Sequence, residues 1–282
     1  MSSLLTFAPS PPLAPYVTGL LVYDDLMALA PGALTILPDT ATYICFLCGD
    51  PIRAAHKRET YTARSGLSGF QSYRFDLESQ GEISGVTVRL TAWGLSAFLG
   101  DAVEACAEMR VDCHDLFPRA AILELEERLF HLTSAEARVR CVEEFLLAHL
   151  RTQGVDGLVR AACMHLTRTG GSRPISALAR DFGLSERTLE RRFLRSIGTT
   201  PKKYARVLRL QQAVQLREKH SSWAEIAHAA GYYDQSHLIR DCREMYGDSP
   251  EALFSLPVSE ATQAFLEPEL SDLSKTILLE DR

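Results

Sequence analysis

The spacing of hydrophobic residues along this chain changes part-way through, and the change divides it. Up to residue 118 the apolar residues come in short runs between turn formers. One run covers 43–47, ahead of Gly49-Asp50-Pro51; another covers 85–90, with Val86, Thr87 and Val88. Gly66, Gly69, Gly81 and Gly85 punctuate the middle. Short strands with frequent turns predict a small sandwich or barrel. A helical piece is predicted at 95–107. From residue 119 the spacing becomes three and four, the period of an amphipathic helix: Ile122, Leu125, Leu129 and Leu132, then Val142, Phe145, Leu146 and His149. Gln153-Gly154 and Gly157 mark a boundary, and Gly170-Gly171-Ser172 a loop before the next unit. From Leu256 the chain turns acidic through Glu260, Glu267, Glu269, Asp272, Glu280 and Asp281. This tail is expected to be poorly ordered, apart from one amphipathic turn at 261–266. The predicted class is α+β: a small β-rich domain over 1–118, a helical connector over 119–153, an all-α domain over 154–256 and the tail over 257–282.

Within the all-α domain the pattern occurs twice. Ile175-Ser176-Ala177-Leu178-Ala179 leads to Gly183-Leu184-Ser185 and then Leu189-Glu190-Arg191-Arg192-Phe193. Trp223-Ala224-Glu225-Ile226-Ala227 leads to Gly231-Tyr232-Tyr233-Asp234 and then Leu238-Ile239-Arg240-Asp241-Cys242. Two helices that cross closely need a small residue at the crossing, the place of Ala179 and Ala227. A tight turn between them needs a positive φ that only glycine adopts cheaply, the place of Gly183 and Gly231. Ser185 and Asp234 can cap the second helix of each pair. Leu184, Leu189 and Phe193 would then face the core, leaving the start of each second helix outward, where base edges are read in the major groove. Arg187, Glu190 and Arg191 share one outward face; Gln235, Ser236, Ile239 and Arg240 share another, with His237 beside them. Arg suits guanine, Gln suits adenine, and Glu can accept from cytosine. Glu190 has the competing role of holding Arg187 or Arg191 in an ion pair. Ser185, Arg192, Arg195, Thr200, Lys202, Lys203 and Arg243, with Arg206, are assigned to phosphates, with solvent exposure as the competing role. Between the copies, Thr199-Thr200-Pro201 opens a long predicted helix over 201–219, whose apolar stripe runs through Tyr204, Val207, Leu208, Leu210, Ala213, Val214 and Leu216. Such a strut would hold the two reading helices about one DNA turn apart, roughly 34 Å.

Residues 172–255 resemble the DNA-binding domain of the AraC/XylS family of transcription regulators. The matching elements are Leu178-Ala179, Gly183-Leu184-Ser185, Leu189-x-Arg191-x-Phe193, Gly198-x-x-Pro201-x-x-Tyr204 and Leu208-Arg209-Leu210. They continue with Glu225-Ile226-Ala227, Gly231-Tyr232-x-Asp234-Gln235-Ser236-His237-Leu238-x-Arg240 and Tyr246-Gly247-x-Ser249-Pro250. The resemblance implies two helix-turn-helix units in adjacent major grooves. Arg187, Glu190, Arg191, Gln235, Ser236, His237 and Arg240 are the implied base-reading positions. It also implies a cupin-like N-terminal β domain that binds a small effector or dimerises. Cys242 departs from the pattern, since an aromatic residue is usual there, and it implies a looser core and weaker binding in the second unit.

Composition changes this picture in one respect. The net charge is −6, which by itself argues against a nucleic-acid binder, but it is unevenly spread. Residues 172–255 hold 14 Lys and Arg against 10 Asp and Glu, so a basic segment is joined to an acidic remainder. No signal peptide or apolar run long enough for a membrane span is evident, and the seven cysteines are irregularly spaced; a cytoplasmic, reducing setting is expected. Cys45-Phe46-Leu47-Cys48 lies in a strand-like run, so buried, inert thiols are expected rather than a redox or metal site. Cys113-His114 lacks a second ligand pair at zinc spacing. His56 is the one histidine before His114, too few for a metal cupin enzyme. No nucleophile elbow, phosphate loop or dinucleotide fingerprint is found, so no enzyme activity and no cofactor are expected. Trp93, Tyr43, Phe70, Tyr73 and Phe75 are candidates to line an effector pocket, with core packing as the competing role. The expected partner is double-stranded DNA; RNA polymerase, a small effector and a second copy of the chain are further candidates. The alternative function is a sensor or adaptor acting through protein contacts.

Overall fold

A computed structural model of the chain describes residues 3–25, 34–56, 59–78, 81–151, 155–217 and 222–255. The acidic tail, its expected turn at 261–266 and the Gln153-Gly154 boundary lie outside the described residues. The strands are β1 (Ser3–Phe7), β2 (Val17–Asp24), β3 (Leu34–Ile36), β4 (Thr42–Leu47), β5 (Ile52–His56), β6 (Glu59–Ala63), β7 (Ser65–Ser68), β8 (Phe75–Glu78), β9 (Gly85–Leu90) and β10 (Arg110–Asp112). They form two antiparallel sheets, ordered β1-β2-β9-β4-β7-β10 and β3-β8-β5-β6. The apolar runs seen in the sequence are the centre of the larger sheet: β9 lies between β2 and β4 and is buried along its whole length.

The predicted helix over 95–107 divides. Helix α1 (Ser96–Leu99) gives way to a 3-10 turn over Gly100–Cys106, because Gly100 takes φ +60° and ends the α-helical register. After the short α2 (Cys113–Leu116), the helices α3 (Arg119–His131) and α4 (Ala135–His149) pack against β2, β4 and β9. Their apolar stripes complete the first core, where Phe46 meets Phe145 edge-on at 5.6 Å and Phe145 meets Phe117 at 5.3 Å. His149 closes that stripe against the Phe145 ring at 4.3 Å.

The remaining helices are α5 (Gly157–Arg168), α6 (Ile175–Asp181), α7 (Glu186–Ile197), α8 (Pro201–Leu216), α9 (Trp223–Ala229), α10 (Gln235–Tyr246) and α11 (Pro250–Ser255). They share a second core, which also takes in Phe70 and Ala92 from the β region. The two parts therefore touch. The Arg74 backbone N–H donates to the Met245 carbonyl at 2.8 Å, Gln211 Nε2 on α8 donates to Asp39 at 2.8 Å, and the 3-10 turn lies along α7.

Candidate nucleic-acid interface

The two helix-turn-helix units share one plan of crossing, turn and second-helix cap. Ala179 and Ala227 are buried where α6 meets α7 and α9 meets α10. Gly183 takes φ +67° and Gly231 φ +76°, the left-handed turn that the sequence required. In the first unit Leu184 N–H donates to the Ala179 carbonyl at 2.9 Å; in the second Tyr232 N–H donates to Ala227 at 2.9 Å. Ser185 Oγ accepts from Thr188 N–H at 3.2 Å and caps α7, while Asp234 Oδ1 accepts from His237 N–H at 2.8 Å and caps α10. Both helices end on a left-handed glycine, Gly198 and Gly247. Between the units, α8 opens with Pro201 in its first turn and Thr200 Oγ1 accepting from Lys203 N–H at 3.2 Å. Its 16 residues span roughly 24 Å. Tyr204, Val207, Leu208, Leu210 and Ala213 are buried along it, and Val214 and Leu216 are partly so.

The base-reading candidates fall on the outer faces of α7 and α10. Arg187, Glu190, Arg191, Ser236 and Arg240 are exposed, and Gln235 and His237 are half-buried. Among the described residues Arg187, Glu190, Arg191 and Arg240 enter no ion pair, so the restraint of an arginine by Glu190 is absent there. The His237 ring stands edge-on to buried Tyr232 at 5.2 Å, which fixes its direction. Tyr233 was not singled out from the sequence. It is 94% exposed, directly ahead of the Asp234 cap; an aromatic residue in that turn was the available signal.

The phosphate candidates divide three ways. Lys202 and Arg243 are exposed. Ser185 and Thr200 are occupied as helix caps. Arg195 and Lys203 turn towards acidic groups of the N-terminal half, and Arg192 towards the cap of α5 within the helical part. Arg192 donates to Asp156 from Nε at 2.6 Å and from Nη2 at 2.8 Å. Arg195 pairs with Asp101 at 2.9 Å, and Lys203 with Glu108 at 2.6 Å. Burial raises the Asp156 carboxyl, yet the Arg192 fork and the N–H groups of Val159 and Leu158 outweigh it, so the group sits below its ordinary value. Arg206 is tied to Asp241 at 2.8 Å and to Glu244 at 2.6 Å.

The thiols are all free. Cys45 and Cys48 are half-buried rather than buried as expected, and what burial they have pushes both thiols upward. Cys242 is buried in the core of the second unit, its thiol pushed up to about 12 by burial and by Asp241. His114 faces Glu126 at 3.4 Å. Of the aromatic residues considered for a pocket, Phe70 packs near Tyr204, with ring centres 6.2 Å apart, Phe75 lies under Arg110 at 4.6 Å, and Tyr73 donates to the Glu108 carbonyl at 2.5 Å.

The family described as "Helix-turn-helix domain" matches residues 178–255. The C-terminal domain is of the AraC/XylS type. A second family, described as "Domain of unknown function (DUF6597)", matches residues 5–112. The AraC-type domain is similar to that of the HTH-type transcriptional activator RhaS from Escherichia coli O139:H28, 37% identical over 75 residues, which is 26% of this chain and 27% of that protein. The match thus spans about a quarter of the relative's length. Apo ToxT from Vibrio cholerae strain SCE256, a point variant, aligns over 84% of this chain and 98% of its own at 15% identity and a TM-score of 0.45. Unsaturated fatty acid bound wild-type ToxT of the same strain aligns over 91% and 95% at 12% identity and a TM-score of 0.45.

Proposed function

We propose that this protein is a sequence-specific DNA-binding regulator of transcription that reads two adjacent major-groove segments, one with α7 and one with α10. The observation that carries this reading is the shared turn and capping plan of two helix-turn-helix units, joined by α8 and each presenting cationic side chains that enter no ion pair among the described residues. Arg187, Glu190 and Arg191 read the first segment; Gln235, Ser236, His237 and Arg240 read the second. Lys202 and Arg243 meet phosphates, as do Arg192, Arg195 and Lys203 once released from their carboxylate partners, with the Ser185 and Thr200 turns close to the backbone. The chain works in the cytoplasm without catalysing a reaction. No helix among the described residues is long and apolar enough to cross a membrane. The likeness to RhaS over 75 residues supports activation, which makes RNA polymerase a further partner. The N-terminal half modulates DNA binding through a small effector or through dimerisation.

The test is selection of sites from a random duplex pool by the full-length protein, followed by salt titration on the enriched sequence. Two short blocks about one turn apart, with affinity falling steeply as salt rises, are expected. Lack of enrichment by both the full chain and residues 154–282 would replace this reading with that of an adaptor acting through protein contacts.

A further inference from the structure

A cavity of about 270 Å³ lies where the β domain meets α8. From the β side it is lined by Asp39, Arg89, Leu90 and Trp93; from the helical side by Gln211 and Val214. The charged pair in it is built and buried. Asp39 and Arg89 have side chains 8% and 11% exposed and meet at 3.0 Å.

The hydrogen bonds of this pair decide what the cavity can take. Asp39 accepts from Ala41 N–H at 3.2 Å, Gln211 Nε2 at 2.8 Å, Arg89 Nη2 at 3.0 Å and the Tyr43 hydroxyl. A carboxylate offers about four acceptor sites, so Asp39 is full. Arg89 donates from Nε to the Tyr43 hydroxyl at 3.3 Å, from Nη1 to Thr18 at 3.4 Å and from Nη2 to Asp39 at 3.0 Å. A guanidinium has five N–H groups, so two have no acceptor among the described residues. An anion would find the charge of Arg89 already balanced by Asp39. A cation would find the carboxylate saturated. Either would lie beside a buried, already balanced pair as an unpaired charge, which is costly. A neutral acceptor oxygen meets the spare N–H groups without that cost, and Trp93, Leu90 and Val214 offer apolar surface to the rest of the molecule.

We propose that this cavity binds a small uncharged molecule carrying a carbonyl or hydroxyl oxygen on an apolar ring or chain. The cavity is bounded by Gln211 and Val214 of α8, the helix that joins the two DNA-reading units, so its occupant touches both halves of the chain. Any effect on DNA rests on the function proposed above; binding itself does not, and its test uses no DNA.

Three probes of nearly equal shape separate the charge classes: benzamide, benzoate and benzamidinium. Full-length protein labelled with 5-fluorotryptophan has two fluorine reporters, Trp93 and Trp223, since the chain contains 2 tryptophans. The Trp93→Phe variant assigns the signals. Benzamide is expected to move the Trp93 signal with half-saturation in the millimolar range, as suits so small a ligand, and to leave Trp223 in place. Benzoate and benzamidinium should bind at least about tenfold more weakly. Arg89→Gln should abolish the shift but disturbs the buried pair. Val214→Phe fills the cavity and leaves that pair intact, so it should abolish the shift while the Trp223 signal and the helical circular dichroism persist. A Trp93 signal unmoved by benzamide, or still moved in the Val214→Phe protein, overturns the site. Equal or tighter binding of benzoate or benzamidinium overturns the uncharged class.

Discussion

Arg191 and Arg240 hold corresponding places in the repeat, each two residues beyond a buried leucine, Leu189 or Leu238, and each exposed. Replacing either by alanine is expected to weaken DNA binding by about 1–3 kcal/mol and to relax base preference in its own block alone. Binding measured on a panel of single-base variants of the selected site checks this; unchanged specificity in both mutants would remove α7 and α10 as reading helices. Two glycines illustrate how space and conformation differ. Gly183 has φ +67° and nothing within 4 Å of an added Cβ, so Gly183→Ala should cost only the left-handed backbone penalty, about 1–2 kcal/mol. Gly171 has φ +72° and would place that Cβ 2.2 Å from the Ala205 carbonyl oxygen of α8, so Gly171→Ala should lower the melting temperature much further. Arg89→Met would leave Asp39 charged and buried without its partner, at a cost of about 3–5 kcal/mol read by denaturant titration.

Among the elements, α5 carries two roles on a single side chain. Asp156 caps it through the N–H groups of Leu158 and Val159 and also receives the Arg192 fork from α7. Asp156→Ala removes both roles, whereas Asp156→Asn keeps a good cap and loses the charge. The alanine variant should lose about 1 kcal/mol more than the asparagine variant in chemical unfolding. Acid adds a second measure. Asp156 and Asp39 both lie below the ordinary value of 3.8 in the folded chain, Asp39 because Arg89, Tyr43, Ala41 and Gln211 together outweigh its burial. Their stabilisation is complete above that value and is lost as pH falls through the lower folded values. Melting curves taken from about pH 5 down to pH 2 should show the wild type losing stability at the acid end, and Asp156→Asn losing less. The 3-10 turn after α1 is the clearest element that helical periodicity misread. The spacing of apolar residues over 95–107 suits either helix, and the positive φ of Gly100 decides between them.

The whole molecule is held in one arrangement partly by charge. Asp101 and Glu108 engage Arg195 and Lys203 between the two parts, while Asp156 holds Arg192 within the helical part; the sequence assigned all three cations to phosphates. The pair of Arg195 with Asp101 is open to solvent, 61% and 80% exposed, and will be weakened by salt. Asp101→Asn combined with Glu108→Gln removes two negative charges beside α7 and α8 and releases two positive ones. DNA affinity should rise and the slope of log affinity against log salt should steepen, as read by anisotropy titrations at several salt concentrations. An unchanged slope would mean that Arg195 and Lys203 never meet phosphates.

The helix-turn-helix half was legible in the sequence because its determinants are local. A small residue at a helix crossing, a glycine in a left-handed turn, a cap and a stripe at spacings of three and four each specify their own neighbourhood, and the repeat states them twice. β4 and β9 were legible for a similar reason, as apolar runs bounded by turn residues. The sequence did not indicate where Arg192, Arg195 and Lys203 point, since their partners lie 36, 94 and 95 positions away. Nor did it single out Asp39 and Arg89, which are 50 positions apart and meet only because β9 pairs with β4 and brings Arg89 beside Tyr43. The lone charged residue in Gly85–Leu90 was the one visible trace of that pair. Tertiary structure alone decided these contacts, because a long-range ion pair is set by which surfaces meet, and local spacing carries no record of that.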